Sequence, residues 1–264
     1  MKKRVICLIV IGKKYERFFS RTEKQFYTYA DKCNADIKIF TSPLDKEKKR
    51  SILAQKLLIP SHVEQYDEGL FLDLDILISE QAPNIFSLFS PDKSFAAVLD
   101  PRGEDIFNET WKHIPRILEE TTLEYFKSRN FPTNDLLQGS INGGVFMFRP
   151  SEVSSMFSDY YYSDHQQGKL NSFEETPMAY LTQTKGIFQP LPPQFNAQVL
   201  YYLKGTKEGK KIIDHENKIP YFIRKKYYKF FERAIIPTRG YKQLVQNMLQ
   251  ENYFVHFAGN YPLI

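Results

Sequence analysis

The first forty residues restrict the topology of this chain more than any other stretch. Val5 to Ile11 is an apolar, β-branched-rich run that stops at Gly12. Tyr15, Phe18, Phe19, Thr22, Phe26, Tyr29, Ala30 and Cys33 then recur at the three- and four-residue spacing of an amphipathic helix. Asp36 to Phe40 reads as a second strand. Strand, helix and strand in this order make a βαβ unit, with a right-handed crossover and a parallel sheet. Ligands of such sheets gather at the carboxyl ends of the strands, so Ile11-Gly12-Lys13-Lys14-Tyr15 is a candidate wall of a site. Its single glycine does not make a phosphate-binding loop.

The second constraint is Gly69-Leu70-Phe71-Leu72-Asp73-Leu74-Asp75-Ile76-Leu77-Ile78, in which seven apolar side chains surround two carboxylates. A short apolar run of this kind predicts one buried strand. Alternation would then put Asp73 and Asp75 on one face and Leu72 and Leu74 on the other. Two like charges on a buried strand repel, and each resists desolvation. A shared proton, neighbouring basic groups or a hard cation such as Mg²⁺ or Mn²⁺ would relieve them. A strand end emerging into water, with both carboxylates hydrated, is the alternative.

Composition narrows the class. With 264 residues and 42% hydrophobic content, the chain suffices for one large domain, residues 1–264. No run approaches the ~20 apolar residues of a membrane helix. Lys2-Lys3-Arg4 before an apolar run resembles a signal peptide, but no small-residue cleavage site follows, so a first core strand is expected. Cys7 and Cys33 form no metal or redox motif, which fits a cytoplasmic protein with reduced thiols. Charge is uneven: residues 204–242 hold twelve Lys/Arg against four Asp/Glu, a net of +8, interleaved with tyrosine and phenylalanine. Such a segment could meet phosphate, nucleic acid or an anionic membrane, or be a solvated face.

Three further stretches carry information. A strand is expected to begin right after the glycines of Ser140-Ile141-Asn142-Gly143-Gly144-Val145, either from a tight turn or to admit another group closely. Glu174-Glu175-Thr176-Pro177 opens a helix, where acids complement the helix dipole without any other role. Val255-His256-Phe257 sets a histidine in an apolar, strand-like run, ordinarily a core position.

In order along the chain, Asp73-Leu74-Asp75, Asn142-Gly143-Gly144-Val145, Leu191-Pro192-Pro193-Gln194-Phe195-Asn196 and His256-Phe257-Ala258-Gly259 resemble the family-eight-like glycosyltransferases, relatives of glycogenin and of bacterial lipopolysaccharide galactosyltransferases. The resemblance spans nearly the whole chain. It implies the α/β GT-A (Rossmann-like) fold, a mixed central sheet flanked by helices, and a nucleotide-sugar donor, UDP-linked, with Mn²⁺ or Mg²⁺ on its diphosphate. By the same resemblance Asp73 and Asp75 are metal ligands and His256 completes the metal site. Lys56 stands near the donor and Asp100 near the sugar. Asn142 matches an Asn-x-Gly asparagine, and Glu174 or Glu175 falls where an Asp-Gln pair flanks the reacting sugar. Asn196 ends a donor-side loop, Gly259 closes the terminal motif, and Tyr15 stacks on the base or is a core tyrosine. Departures are Gly12-Lys13-Lys14 in place of an acidic residue, the missing Asp-Gln pair, and Asn260-Tyr261-Pro262 in place of Lys-Pro-Trp.

The resemblance implies a glycan, a lipid-linked sugar or a protein as acceptor; the basic and aromatic side chains of 204–242 point to peripheral membrane contact near the acceptor side, and no nucleic acid is expected. The residue types suit the chemistry: a cation across the diphosphate offsets charge developing on the leaving group, and co-binding of donor and acceptor lowers the rest of the barrier. Competing readings are an aspartate-based phosphohydrolase and a non-catalytic nucleotide- or membrane-binding module. The first would place its aspartates after the first strand, before a Thr/Val-type turn, whereas Ile76-Leu77-Ile78 here reads as strand.

Overall fold

The computed structural model describes residues 2–47, 50–163 and 173–264. The strands are β1 (Arg4–Ile9), β2 (Asp36–Phe40), β3 (Glu68–Leu72), β4 (Ile76–Ile78), β5 (Phe95–Leu99), β6 (Ile141–Phe148), β7 (Phe188–Pro190), β8 (Ala197–Gln198) and β9 (Phe254–His256). The helices are α1 (Lys13–Cys33), α2 (Ile52–Gln55), α3 (Asp105–Trp111), α4 (Pro115–Glu119), α5 (Thr122–Lys127), α6 (Pro150–Tyr162), α7 (Glu175–Thr184), α8 (Val199–Gly205), α9 (Lys207–Lys218), α10 (Tyr221–Phe231) and α11 (Arg239–Glu251). They form two compact units. The first comprises Met1–Leu74, Asn84–Asp100 and Thr121–Pro192; the second comprises Asp75–Pro83, Pro101–Glu120 and Pro193–Ile264.

The first unit is built on a six-stranded sheet in the order β2-β1-β3-β6-β5-β7. The βαβ expectation holds for its opening: β1 is parallel to β2, with Val5 opposite Asp36, and also to β3. Gly12, at φ 89°, turns the chain into α1; of the predicted stripe, Thr22, Phe26, Tyr29, Ala30 and Cys33 are buried, Phe18 and Phe19 are half-buried and Tyr15 is exposed. The sheet is mixed, not parallel throughout, because β6 runs antiparallel to both β3 and β5 while β7 is parallel to β5. The βαβ rule governs strands joined by one crossover, and β6 is reached only after a long excursion from β5. Phe71, Phe95 and Phe146 stack across these strands, with ring centroids 5.0 Å and 5.6 Å apart. Each fully buried phenylalanine contributes about 2 kcal/mol.

Two expectations about strand limits are corrected. The Gly69–Ile78 run is not one strand. Asp73 N still donates to Gly144 O at 2.8 Å, the chain then turns at Leu74–Asp75, and Phe257 N donates to Asp75 O at 2.9 Å. Asp73 and Asp75 therefore do not share one face of a ladder. Both side chains remain partly exposed, which avoids most of the desolvation that a continuous buried strand would impose. The glycines at 143 and 144 lie inside β6 and not ahead of it.

The second unit holds the sheet β4-β9-β8, with β4 antiparallel and β8 parallel to β9. Leu203 of α8 and Tyr241, Leu244, Val245 and Met248 of α11 form its core with Val255 and Phe257. Thr238 caps α11 by accepting from Tyr241 N. Among the described residues, α10 is the one longer helix that buries no side chain. Among the described residues, no helix is long and apolar enough to cross a membrane.

Candidate active site

In the first unit the site is assembled around Lys56. Ser51 caps α2 by accepting from Ala54 N, and the chain tightens into a 3₁₀ turn over Lys56–Leu58 before Pro60. This turn buries Lys56 to 3% exposure. Its Nζ lies 3.0 Å from Asp73 Oδ1, 3.0 Å from Glu174 Oε1 and 3.0 Å from Gly143 O, above the Phe71 ring. An ammonium has three N–H donors, and here each has an acceptor. Burial would lower the pKa of Lys56, but the carboxylates of Asp73 and Glu174 outweigh it and hold the ammonium above its ordinary value.

Glu174, immediately before α7, is buried beside it. A Cβ at position 143 would overlap the Glu174 carboxyl group, so Gly143 is the residue that admits this side chain against β6. Desolvation pushes the Glu174 pKa up to about 7; Lys56 opposes the shift and Glu175 adds to it. Glu175 is less buried and points its Oε1 at the Gly143 N–H (2.9 Å) and the Asn142 Nδ2 (3.3 Å). Burial raises its pKa, the Gly143 N–H and Lys56 resist, and the charges of Asp73 and Asp100 reinforce the rise. Asn142 Oδ1 in turn accepts from Gly144 N at 3.1 Å. Asp100 follows β5, with its N–H bonded to Ser140 O at 2.8 Å.

In the second unit, the pairing of β4 with β9 sets Ile76 opposite His256 and brings Asp75 to the histidine ring. His256 Nε2 lies 3.4 Å from Asp75 Oδ1, and Nδ1 is 2.8 Å from Asn196 Oδ1. An amide oxygen only accepts, so the hydrogen sits on Nδ1, and Nε2 presents its lone pair to the carboxylate when the ring is neutral. Two ligand atoms each about 2.2 Å from one ion, at roughly a right angle, stand about 3 Å apart. The nitrogen–carboxylate donor set with a locked ring thus fits a divalent cation. Asp73 is two residues from Asp75, and chain connectivity alone holds their Cα atoms within about 7 Å.

The remaining expected residues are placed as follows. Ile11 and Gly12 follow the end of β1, and Tyr15 lies in the first turn of α1 with 47% exposure, so it is not a core tyrosine. Gly259, at φ 84°, turns the chain after β9. Reading the sequence alone missed three features: Asn196 bonds the histidine, Gly143 O accepts from Lys56, and the two glutamates occupy different environments. The adjacent glycines were the one signal that could have found the second.

No protein-family model matches the sequence, and no curated protein matches it. Solved structures do match its fold. A glycosyltransferase involved in the glycosylation of the major capsid of PBCV-1 is 14% identical at a TM-score of 0.53, over 97% of this chain and 93% of that one. The bifunctional glycosyltransferase WbbM, in its apo structure, is 14% identical at a TM-score of 0.55. The likeness covers 98% of this chain, which spans 46% of WbbM. At these identities the likeness establishes the fold: α/β, with a mixed central sheet flanked by helices, as in GT-A glycosyltransferase structures.

Proposed function

We propose that this chain is a metal-dependent glycosyltransferase that moves a hexose from a nucleotide-sugar, UDP-linked, to a glycan, lipid-linked or protein acceptor. The observation that carries this reading is the Asp75–His256–Asn196 arrangement: a carboxylate faces an imidazole nitrogen whose tautomer a buried amide holds. Asp73, Asp75 and His256 would hold the cation. It would supply a Lewis acid for the leaving diphosphate, and the nitrogen ligand favours Mn²⁺ over Mg²⁺.

This chain's own residues divide the remaining work. Lys56 spends its three donors within the protein, so it positions Asp73 and Glu174 and does not grip phosphate itself. Glu174, buried against it, is likewise a positioning residue. Glu175, oriented by Gly143 and Asn142, is the carboxylate that reaches the sugar, with Asp100 and Asn142 beside it. Ile11, Gly12 and Gly259 offer backbone to the nucleotide, Tyr15 offers its ring to the base, and Asn196 acts through His256. Residues 1–264 work as one transferase domain in the cytoplasm, where Cys7 and Cys33, both free, stay reduced.

The test is nucleotide release from a panel of nucleotide-sugars with Mn²⁺. UDP released from a UDP-sugar, faster with acceptor and abolished by EDTA, is the expected result. No release from any nucleotide-sugar, or release of phosphate from a phosphomonoester instead, overturns the reading.

A further inference from the structure

The second unit presents a surface that the transferase reading does not use. Helix α10, Tyr-Phe-Ile-Arg-Lys-Lys-Tyr-Tyr-Lys-Phe-Phe, leaves Phe222 71% and Phe230 77% exposed, with Tyr221, Ile223 and Phe231 also exposed. Its inner side is tied down: Tyr228 OH donates to Glu216 at 2.5 Å and Arg224 donates to Asn217 at 3.1 Å, both on α9. The less exposed residues, Arg224, Tyr227 and Tyr228, mark that inner side. At 100° per residue, the opposite arc carries Lys225, Lys229, Phe222, Lys226, Phe230 and Ile223 in that angular order. Phe222 and Phe230 are eight residues apart, about 12 Å along the axis. The helix has four basic residues and no acidic one.

We propose that α10 lies flat on an anionic lipid surface, with Phe222, Phe230 and Ile223 inserted at the headgroup boundary and Lys225, Lys226 and Lys229 meeting acidic headgroups. Charge complementarity selects an anionic partner. Phenylalanine and isoleucine on the same arc select one with an apolar interior, and lysine stems can bury while their charged ends reach outward. A convex helix also suits a sheet of lipid better than a single nucleic-acid strand, which is held in a groove. The inference goes beyond the transferase reading and does not rest on it.

Flotation of the full chain with vesicles rich in phosphatidylglycerol, against pure phosphatidylcholine, tests the proposal at low and high salt. Binding to the anionic vesicles alone is expected, weakened by salt. Each of Lys225→Gln, Lys226→Gln and Lys229→Gln lowers partitioning roughly fivefold. Phe222→Ser with Phe230→Ser abolishes it while the melting temperature stays at the parent value. These positions are exposed, so the variants fold. No flotation at low salt, flotation indifferent to the α10 substitutions, a salt-sensitive complex with single-stranded RNA that outcompetes the vesicles, or a dimer split by the Phe222→Ser/Phe230→Ser pair overturns it.

Discussion

Lys56 in the first unit and His256 in the second are equally buried, each 3% exposed, yet their surroundings differ in kind. Lys56 meets three acceptors at hydrogen-bond distance, two of them carboxylates, and its charge is answered within the protein. His256 is held on one side by Asn196 at 2.8 Å, while its other nitrogen faces Asp75 at 3.4 Å, beyond the usual N–H···O range. Burial therefore does not by itself mark a ligand-binding side chain. In the first cluster the buried ammonium has its charge and all three donors answered by its own neighbours, and the second is a set of aimed donors suited to a guest. Stability should depend on the first and catalysis on the second.

Lys56→Ala probes that contrast with the largest expected effect. It leaves the buried Glu174 carboxylate without its cation, a loss of roughly 3–5 kcal/mol in unfolding free energy measured by denaturant. A change below about 1 kcal/mol would break the comparison from the side of the first unit. Asp75→Ala or His256→Ala should instead leave the melting temperature close to that of the parent and lower kcat/KM by about 10²–10³, near 3–4 kcal/mol of transition-state stabilisation. Global unfolding of either variant would show that the second cluster is structural too.

Asn196→Ala sharpens the comparison, since it removes an orienting group and no metal ligand. Mn²⁺ affinity should fall about 10–100-fold, the range found for partners behind a metal-binding histidine. Unchanged affinity would mean that packing alone orients the ring. The smallest effect is a pH dependence. The Glu174 pKa is raised from 4.5 to about 7 in the folded protein. Between these values the native state binds more protons than the unfolded one, so stability falls as pH rises through this window. The slope is at most about 1.4 kcal/mol per pH unit, and it levels off above 7. Glu174→Gln should flatten that slope; an unaltered profile would assign it to another group.

The parts of this architecture that depend on local periodicity were legible in the sequence. The stripe from Thr22 to Cys33 and the alternation in Asp36–Phe40 gave the opening βαβ unit, because side-chain period follows backbone geometry within one element. The direction of β6 was not legible, since its pairing with β3 and β5 joins distant segments. Nor was the turn at Leu74–Asp75, because Leu74 and Ile76 continue the apolar pattern although the ladder has ended. The pair Gly143-Gly144 is compatible with a tight turn or with a close approach, and only the structure decides for the second, with Glu174 the group that approaches Gly143. The bond from Asn196 to His256 crosses 60 residues, and no local rule anticipates it. The same limit hid the different surroundings of Glu174 and Glu175, adjacent in sequence and separated only by what each one faces.

The central claim is that Asp73, Asp75 and His256 hold a divalent cation for a nucleotide-sugar, and titration of Mn²⁺ followed by electron paramagnetic resonance tests it most directly. The parent protein should bind one Mn²⁺ more tightly in the presence of UDP, and His256→Ala should weaken that binding at least about tenfold. An His256→Ala protein that binds Mn²⁺ with the parent's affinity, with and without UDP, would contradict the account.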